Sequence, residues 1–310
     1  MSAGTPLKNM EDCWRSHINL DKRTLVIGPT KSGKTNAIFH ISKCMHKQRR
    51  INYAMAFSKT EKANGNYGGL DKDDYRLMPC YLTRNYIDTK LLTSYQLFQQ
   101  RAKRIGEAYA SLVIFDDVMC DQSTANKPEV NEVLMNARNF DVGCITGVHG
   151  VKQFKPASRD QFRLVVMFKM SKPEAMKAHE LFFADAIGDK KEFWRLYKQV
   201  IGQGRFWAFG IDLDAEGREN QLFKWKAPRY KSSSLDPMPG VKCPHLGHLE
   251  FWLLQRDAYN QAAQETSADV FNVEAIKAKR GVRHGQSKSG DRIILHPEEE
   301  PGGDGEILIP

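Results

Sequence analysis

The chain has 310 residues, 41% hydrophobic and 27% charged, enough for one large domain plus an appendage and for a sizeable core without disulfides or metal. That composition argues against wholesale disorder and a collagen-like rod, and the longest apolar runs, Leu112–Phe115 and Leu164–Phe168, fall far short of the roughly 18 residues of a membrane-spanning helix. Lys and Arg number 46 against 37 Asp and Glu, a net +9 that hints at a polyanionic partner.

The first residues, MSAGTPLKNMEDCWRSH, contain no apolar signal core, so secretion is not expected. Arg23–Gly28 reads as a short buried strand. Lys34–Arg50 reads as a helix, because Ala37, Ile38, Ile41, Cys44 and Met45 recur at helical spacing. Its last turn is basic, which suits the negative end of a helix dipole. Ile51–Phe57 is a second strand, and Asn64–Gly69 has the composition of a loop. Leu91–Ile105 is a basic helix, and Ser111–Val118 (SLVIFDDV) is an apolar strand ending in two carboxylates. Pro128 opens a helix over Lys127–Arg138. Val142–Val148 and Leu164–Met170 are further strands, followed by helices over Pro173–Ala186 and Lys190–Ile201. Two late strands, Phe206–Leu213 and Gln221–Lys226, flank the turn residues Asp214–Gly217.

Strands alternating with helices indicate an α/β fold with a mainly parallel central sheet flanked by helices. Ser232–Gly240 has linker composition, Leu249–Ala262 reads as a short helix, and Gly281–Pro310 is rich in Gly, Pro and Glu, the composition of a disordered tail. The expected organisation is a main domain over 15–230, a linker and helical extension over 231–280 and an acidic tail over 281–310. The tail holds three bases and six acids, a net −3, so the other 280 residues carry +12. Six cysteines are scattered along the chain with no C-x-x-C pair, and read as free thiols of a reducing compartment.

The strongest motif is Gly28-Pro29-Thr30-Lys31-Ser32-Gly33-Lys34-Thr35, a full match to G-x-x-x-x-G-K-[ST] between a strand and a helix. Glycines let backbone N–H groups wrap phosphates, and the following helix turns its positive end to the same anion. Lys34 would reach the β- and γ-phosphates of ATP, and Thr35 would hold Mg2+. Such a P-loop NTPase needs an acidic residue at the end of another buried strand. SLVIFDDV supplies Asp116 as a Mg2+ ligand and Asp117 as the general base that polarises the attacking water. A carboxylate base beside the metal ligand favours hydrolysis. His149, at the end of the strand Val142–Val148, stands where a γ-phosphate sensor could sit; a loop histidine with no such role is the alternative. Arg138 and Arg159 flank that strand, and either could act as an arginine finger; a surface or salt-bridged arginine is the plainer reading of each.

The ordered blocks GPTKSGKT, AFSKTEKANGNY, VIFDDV and NARNFDVGCITGVHGVKQFKPASRDQFRLVVMFK, with KKEFWRLYKQVIGQGRFWAFGIDL and QLFKWK, resemble the poxvirus-type DNA-packaging ATPases of large DNA viruses and virophages, in the FtsK–HerA superfamily. The resemblance covers roughly residues 15–230. The family usually has a glutamine as sensor; His149 takes the nearest matching position. The resemblance implies an ATP-hydrolysing motor that moves double-stranded DNA into a capsid. It also implies a homo-oligomeric ring, a pentamer or hexamer, that meets a capsid or portal-vertex protein at the assembly site, in cytoplasm or nucleus of an infected cell. The rivals are a nucleoside or nucleotide kinase, whose usual C-x-x-C zinc ribbon is missing here, and a nucleotide-gated assembly factor without motor activity.

Three further constellations stand out. The run Phe223–Lys231 (FKWKAPRYK) interleaves bases with aromatics; an amphipathic strand with buried rings and solvated lysines explains it better than a grip on nucleic acid. Arg101, Lys103 and Arg104 are equally plausible contacts to a DNA backbone. Cys243, His245 and His248 resemble part of a metal site, but only three ligands cluster and a loop with incidental polar residues is the simpler reading.

Overall fold

Every residue from Arg23 to Ile27 is buried. A strand with no solvated side chain is stable only inside a sheet covered on both faces. The computed structural model places this strand there. It describes residues 7–49, 51, 53–59, 81–84, 86–104, 110–119, 122–152, 154–228, 284–286 and 292–294. Nine strands form one sheet: β1 Lys8–Asn9, β2 Arg23–Ile27, β3 Tyr53–Ser58, β4 Tyr81–Arg84, β5 Ser111–Asp116, β6 Val142–Val148, β7 Phe162–Met167, β8 Trp207–Asp212 and β9 Leu222–Lys226. Their order is β1-β9-β8-β7-β2-β6-β5-β3-β4. Pairing is parallel except at β7–β8 and β8–β9. The α/β class with a mainly parallel sheet flanked by helices is the architecture found.

Main helices are α1 Met10–His17, α2 Lys34–Gln48, α3 Thr89–Arg104, α4 Pro128–Asn136, α5 Lys172–Ala178 and α6 Lys190–Ile201. Strand residues alternate between the two faces. Val26, Ile114, Ile145, Leu164 and Val166 pack with Ala37, Ile38 and Ile41 of α2 and with Met10 of α1. On the other face, the Tyr95 hydroxyl of α3 donates to Ser111 Oγ at 2.6 Å, and Phe193 of α6 lies 6.0 Å from the Phe209 ring of β8. Full burial of each such ring contributes about 1.5–3 kcal/mol.

The elements differ from the sequence expectation mainly at the ends. A five-residue π turn, His179–Phe183, replaces the second half of the helix expected to reach Ala186. A 3-10 turn over Ala137–Phe140 continues α4. Neither β1 and α1 nor β4 is signalled by the sequence pattern. α1 is docked by His17 Nδ1 at 2.8 Å and Lys22 Nζ at 2.6 Å from Asp212 Oδ2. Burial alone would raise the Asp212 carboxyl, but the hydrogen bonds from His17 and Lys22 outweigh it and hold the group below its usual range.

In the run Phe223–Lys226 the two rings are buried, Lys224 is half-buried and Lys226 is exposed, the amphipathic strand rather than an open stacking surface. Cys13, Cys44 and Cys144 are free thiols, and burial pushes Cys44 and Cys144 up to about 11, which keeps them unreactive. The linker, the helix expected over Leu249–Ala262, and Cys243, His245 and His248 lie outside the described residues. The chain divides into two units, Met1–Glu250 and Phe251–Pro310. In the second, His284–Gln286 pairs antiparallel with Arg292–Ile294, within the stretch whose composition reads as a disordered tail. No helix among the described residues is long and apolar enough to cross a membrane.

Candidate active site

The sheet order decides what meets the P-loop. β6 lies between β2 and β5, and all three run parallel, so the residues following them share one edge of the sheet. Gly28, after β2, donates its N–H to Val148 O at 3.0 Å, and Asp117, after β5, donates its N–H to Gly147 O at 3.0 Å. β6 thus ties the phosphate loop on one side to the acidic turn on the other.

Within the loop, Lys31 and Gly33 have φ of 63° and 113°, left-handed values that turn the backbone back on itself. Helix α2 follows with Gly33 as its N-cap, no side-chain cap and no acid in its first turn, so no side chain caps its first N–H groups. A Cβ on Gly28 would stand 2.6 Å from Ser32 Oγ and 2.9 Å from Phe168 Cβ, which only glycine avoids. Phe168 is fixed in turn: its N–H donates to Ile27 O at 2.8 Å, and the Tyr197 hydroxyl donates to its carbonyl at 2.9 Å. The buried Ser32 Oγ has no hydrogen-bond partner.

Lys34 is 4% exposed, and its ammonium donates to Gly28 O at 2.8 Å and Pro29 O at 3.3 Å. It also stands 3.3 Å from Asp117 Oδ1. The Thr35 hydroxyl donates to Asp116 Oδ2 at 3.0 Å. His149 Nε2 is 3.5 Å from Asp117 Oδ1, with its side chain 44% exposed. Lys34, Thr35, Asp116, Asp117 and His149, chosen from three separate stretches of sequence, therefore converge. Asp117 takes its direction from a φ of 55°, a left-handed conformation that Asp tolerates because its short side chain carries no branch at Cβ. That turn carries its carboxylate out of the strand and toward Lys34 and His149.

Arg138 and Arg159 are not brought to this cluster. Arg138 sits on the 3-10 turn that leads into β6, and Arg159 on a short helix, Pro156–Arg159, that leads into β7. Both strands begin at the opposite edge, where Phe162 pairs with Arg23. Arg138 is exposed, and Arg159 has Asp160 at 3.9 Å. The basic helix contributes little to judge by: Lys103 donates to Asn139 O at 2.5 Å, and the side chains of Arg101 and Arg104 lie outside the described residues.

The sequence reading passed over Gly147. A Cβ there would stand 2.8 Å from Asp116 Oδ1 and 2.9 Å from Ile38 Cδ1. An isolated glycine inside a strand marks a close approach, and TGVH carried that signal. Gly147→Ala is expected to destabilise the fold by about 1–3 kcal/mol and to displace the Asp116 carboxylate. Urea unfolding checks the first, and a raised Mg2+ requirement for nucleotide binding checks the second.

The residues present fit a phosphate chain with Mg2+. The buried, unpartnered Ser32 hydroxyl, the uncapped helix end and the buried ammonium are anion donors. Thr35 and Asp116 offer two hard oxygens side by side. Mg2+ is an ion that takes one or two protein oxygens and completes its shell with phosphate and water.

No protein-family model and no curated protein matches the chain. Among solved structures it is similar to the genome packaging NTPase B204 from Sulfolobus turreted icosahedral virus 2 in complex with ATP-gammaS, at 18% identity over 66% of this chain and 97% of that one, with a TM-score of 0.47. It is also similar to the pCW3 conjugation coupling protein TcpA, at 14% identity over 69% of this chain and 62% of that one, TM-score 0.47. The cytoplasmic domain of the type VII secretion ATPase EccC of Thermomonospora curvata is a third, at 12% identity over 68% of this chain and 26% of that one, TM-score 0.44.

Proposed function

We propose that the chain is a Mg-ATP-dependent ATPase whose hydrolysis drives double-stranded DNA through a homo-oligomeric ring during virus assembly. The observation that supports hydrolysis is the placing of Asp117 3.3 Å from Lys34 and 3.5 Å from His149, on the edge where Thr35 meets Asp116. The resemblance of the sequence blocks and the basic excess outside the tail support DNA as cargo and a capsid or portal-vertex protein as partner.

Bound Mg-ATP supplies the electrophilic phosphorus and a metal ion that spreads the charge of the leaving phosphate. The loop N–H groups, Ser32 and Lys34 hold the phosphates; Thr35 and Asp116 hold the ion. Asp117 takes the proton of the attacking water. His149, whose Nε2 stands 3.5 Å from Asp117 Oδ1, orients that carboxylate and couples its position to the end of β6. Arg138 and Arg159 lie away from this cluster in their own protomer, so either acts as a finger only toward a neighbouring subunit.

Release of phosphate from ATP, measured with and without duplex DNA, tests the reading. Duplex DNA is expected to raise the rate several-fold, with a steep loss at higher salt because the contacts are to phosphates. Transfer of phosphate to a nucleoside without free phosphate, or a rate indifferent to DNA, overturns the motor.

A further inference from the structure

β8 is antiparallel to β7, so β8 begins, and β9 ends, on the edge that carries the P-loop. These ends lie on the side of β2 away from β5 and its two carboxylates. There Glu11, Arg205, Phe206, Trp207, Lys226 and Pro228 line a cleft of about 470 Å³, within the range of small-molecule sites. Phe206 joins the cleft to the P-loop, because a Cβ on Gly33 would stand 2.7 Å from Phe206 Cδ1. Its φ of 68° is one that a bulky residue rarely adopts, and its carbonyl is held by Ala227 N–H at 2.9 Å. The Arg205 guanidinium lies 5.3 Å over the Phe206 ring. An exposed cation stacked on an aromatic ring offers a flat face to another planar π-system.

We propose that the Arg205–Phe206 stack is the platform for the base of the nucleotide whose phosphates the P-loop holds. The inference rests on the nucleotide reading of that loop. A nucleotide is directional: with its last phosphate at Asp116 and Asp117, its base lies on the other side of the loop, and of the two aromatic rings beside Gly33 the nearer is Phe206, the other, Phe168, being fully buried. The Phe206 ring is partly buried against the core and reaches the loop at Gly33. Arg205 and Lys226 give the cleft a positive lining that suits the nucleotide's charge, with Glu11 as an acceptor for an exocyclic amino group.

Calorimetric titration with ATP and, separately, with inorganic tripolyphosphate tests the platform. The proteins are the wild-type chain, Arg205→Ala, Phe206→Gly and Lys34→Ala; glycine suits the left-handed backbone at Phe206, and Arg205 is exposed, so both variants keep the fold. Phe206→Gly is expected to weaken ATP roughly 5–100-fold and Arg205→Ala a few-fold, with tripolyphosphate unchanged in both. Equal weakening of both ligands makes Phe206 a prop for Gly33 and overturns the proposal, as does unchanged ATP affinity in both variants. If Lys34→Ala leaves both ligands unaffected, or the wild-type chain binds neither, the nucleotide reading fails and the platform with it.

Discussion

Asp117→Asn stops ATP turnover and leaves nucleotide binding within about threefold of wild type. Asparagine has nearly the same shape and tolerates the left-handed backbone, so the φ of 55° at this turn is kept. It cannot accept the proton of an attacking water. Removal of a general base lowers the rate by roughly 10²–10⁴-fold. Loss of the carboxylate 3.3 Å from Lys34 also leaves the ammonium less neutralised, which favours binding of a polyanion. The two effects have opposite signs on turnover and on affinity, and that split is the signature to seek. Single-turnover phosphate release and equilibrium titration measure them separately. Wild-type hydrolysis in Asp117→Asn would remove Asp117 from the role of base and leave Asp116 or His149 to be examined in its place.

Lys34→Ala has the larger effect on binding. The ammonium is buried, makes two carbonyl contacts within its own loop and forms one ion pair with Asp117 after β5. Charged hydrogen bonds contribute about 1.5–3 kcal/mol each, so losing one to phosphate weakens ATP by roughly 10–100-fold. Turnover falls further, because charge builds on the phosphate oxygens during reaction and the missing cation is most needed there. Titration and phosphate release on the same sample check both, with circular dichroism to show the fold kept. If turnover survives, the loop does not hold the reacting phosphate.

Gly147 gains its weight from the same two predictions. It sets the distance between the Asp116 carboxylate and the P-loop, as a small residue in a strand that links them.

Much of the fold was legible in order along the chain, because each buried strand is built around a short apolar run and α2 repeats its apolar residues at helical spacing. The missed elements lacked such a signal. β1 has two residues and β4 has four, too few for a period. α1 buries Met10 and His17, and the burial of a histidine makes sense only once Asp212, 195 residues away, is beside it. Leu91–Ile105 was found as α3 within two residues because its pattern is long and local.

The sequence by itself determined the G-x-x-x-x-G-K-[ST] loop between a strand and a helix, the two carboxylates after an apolar strand, and the alternation that makes a mainly parallel α/β sheet. Those depend on residue type and on spacing within one element, where the chain's own period carries the information. Only the tertiary structure decided that β6 lies between the loop and the acidic strand, that β8 turns antiparallel and brings Arg205 and Phe206 to the loop's far side, and that Arg138 and Arg159 begin strands at the opposite edge. Strand order is a choice among non-local pairings, settled by burial of both sheet faces at once, and no window of sequence contains it.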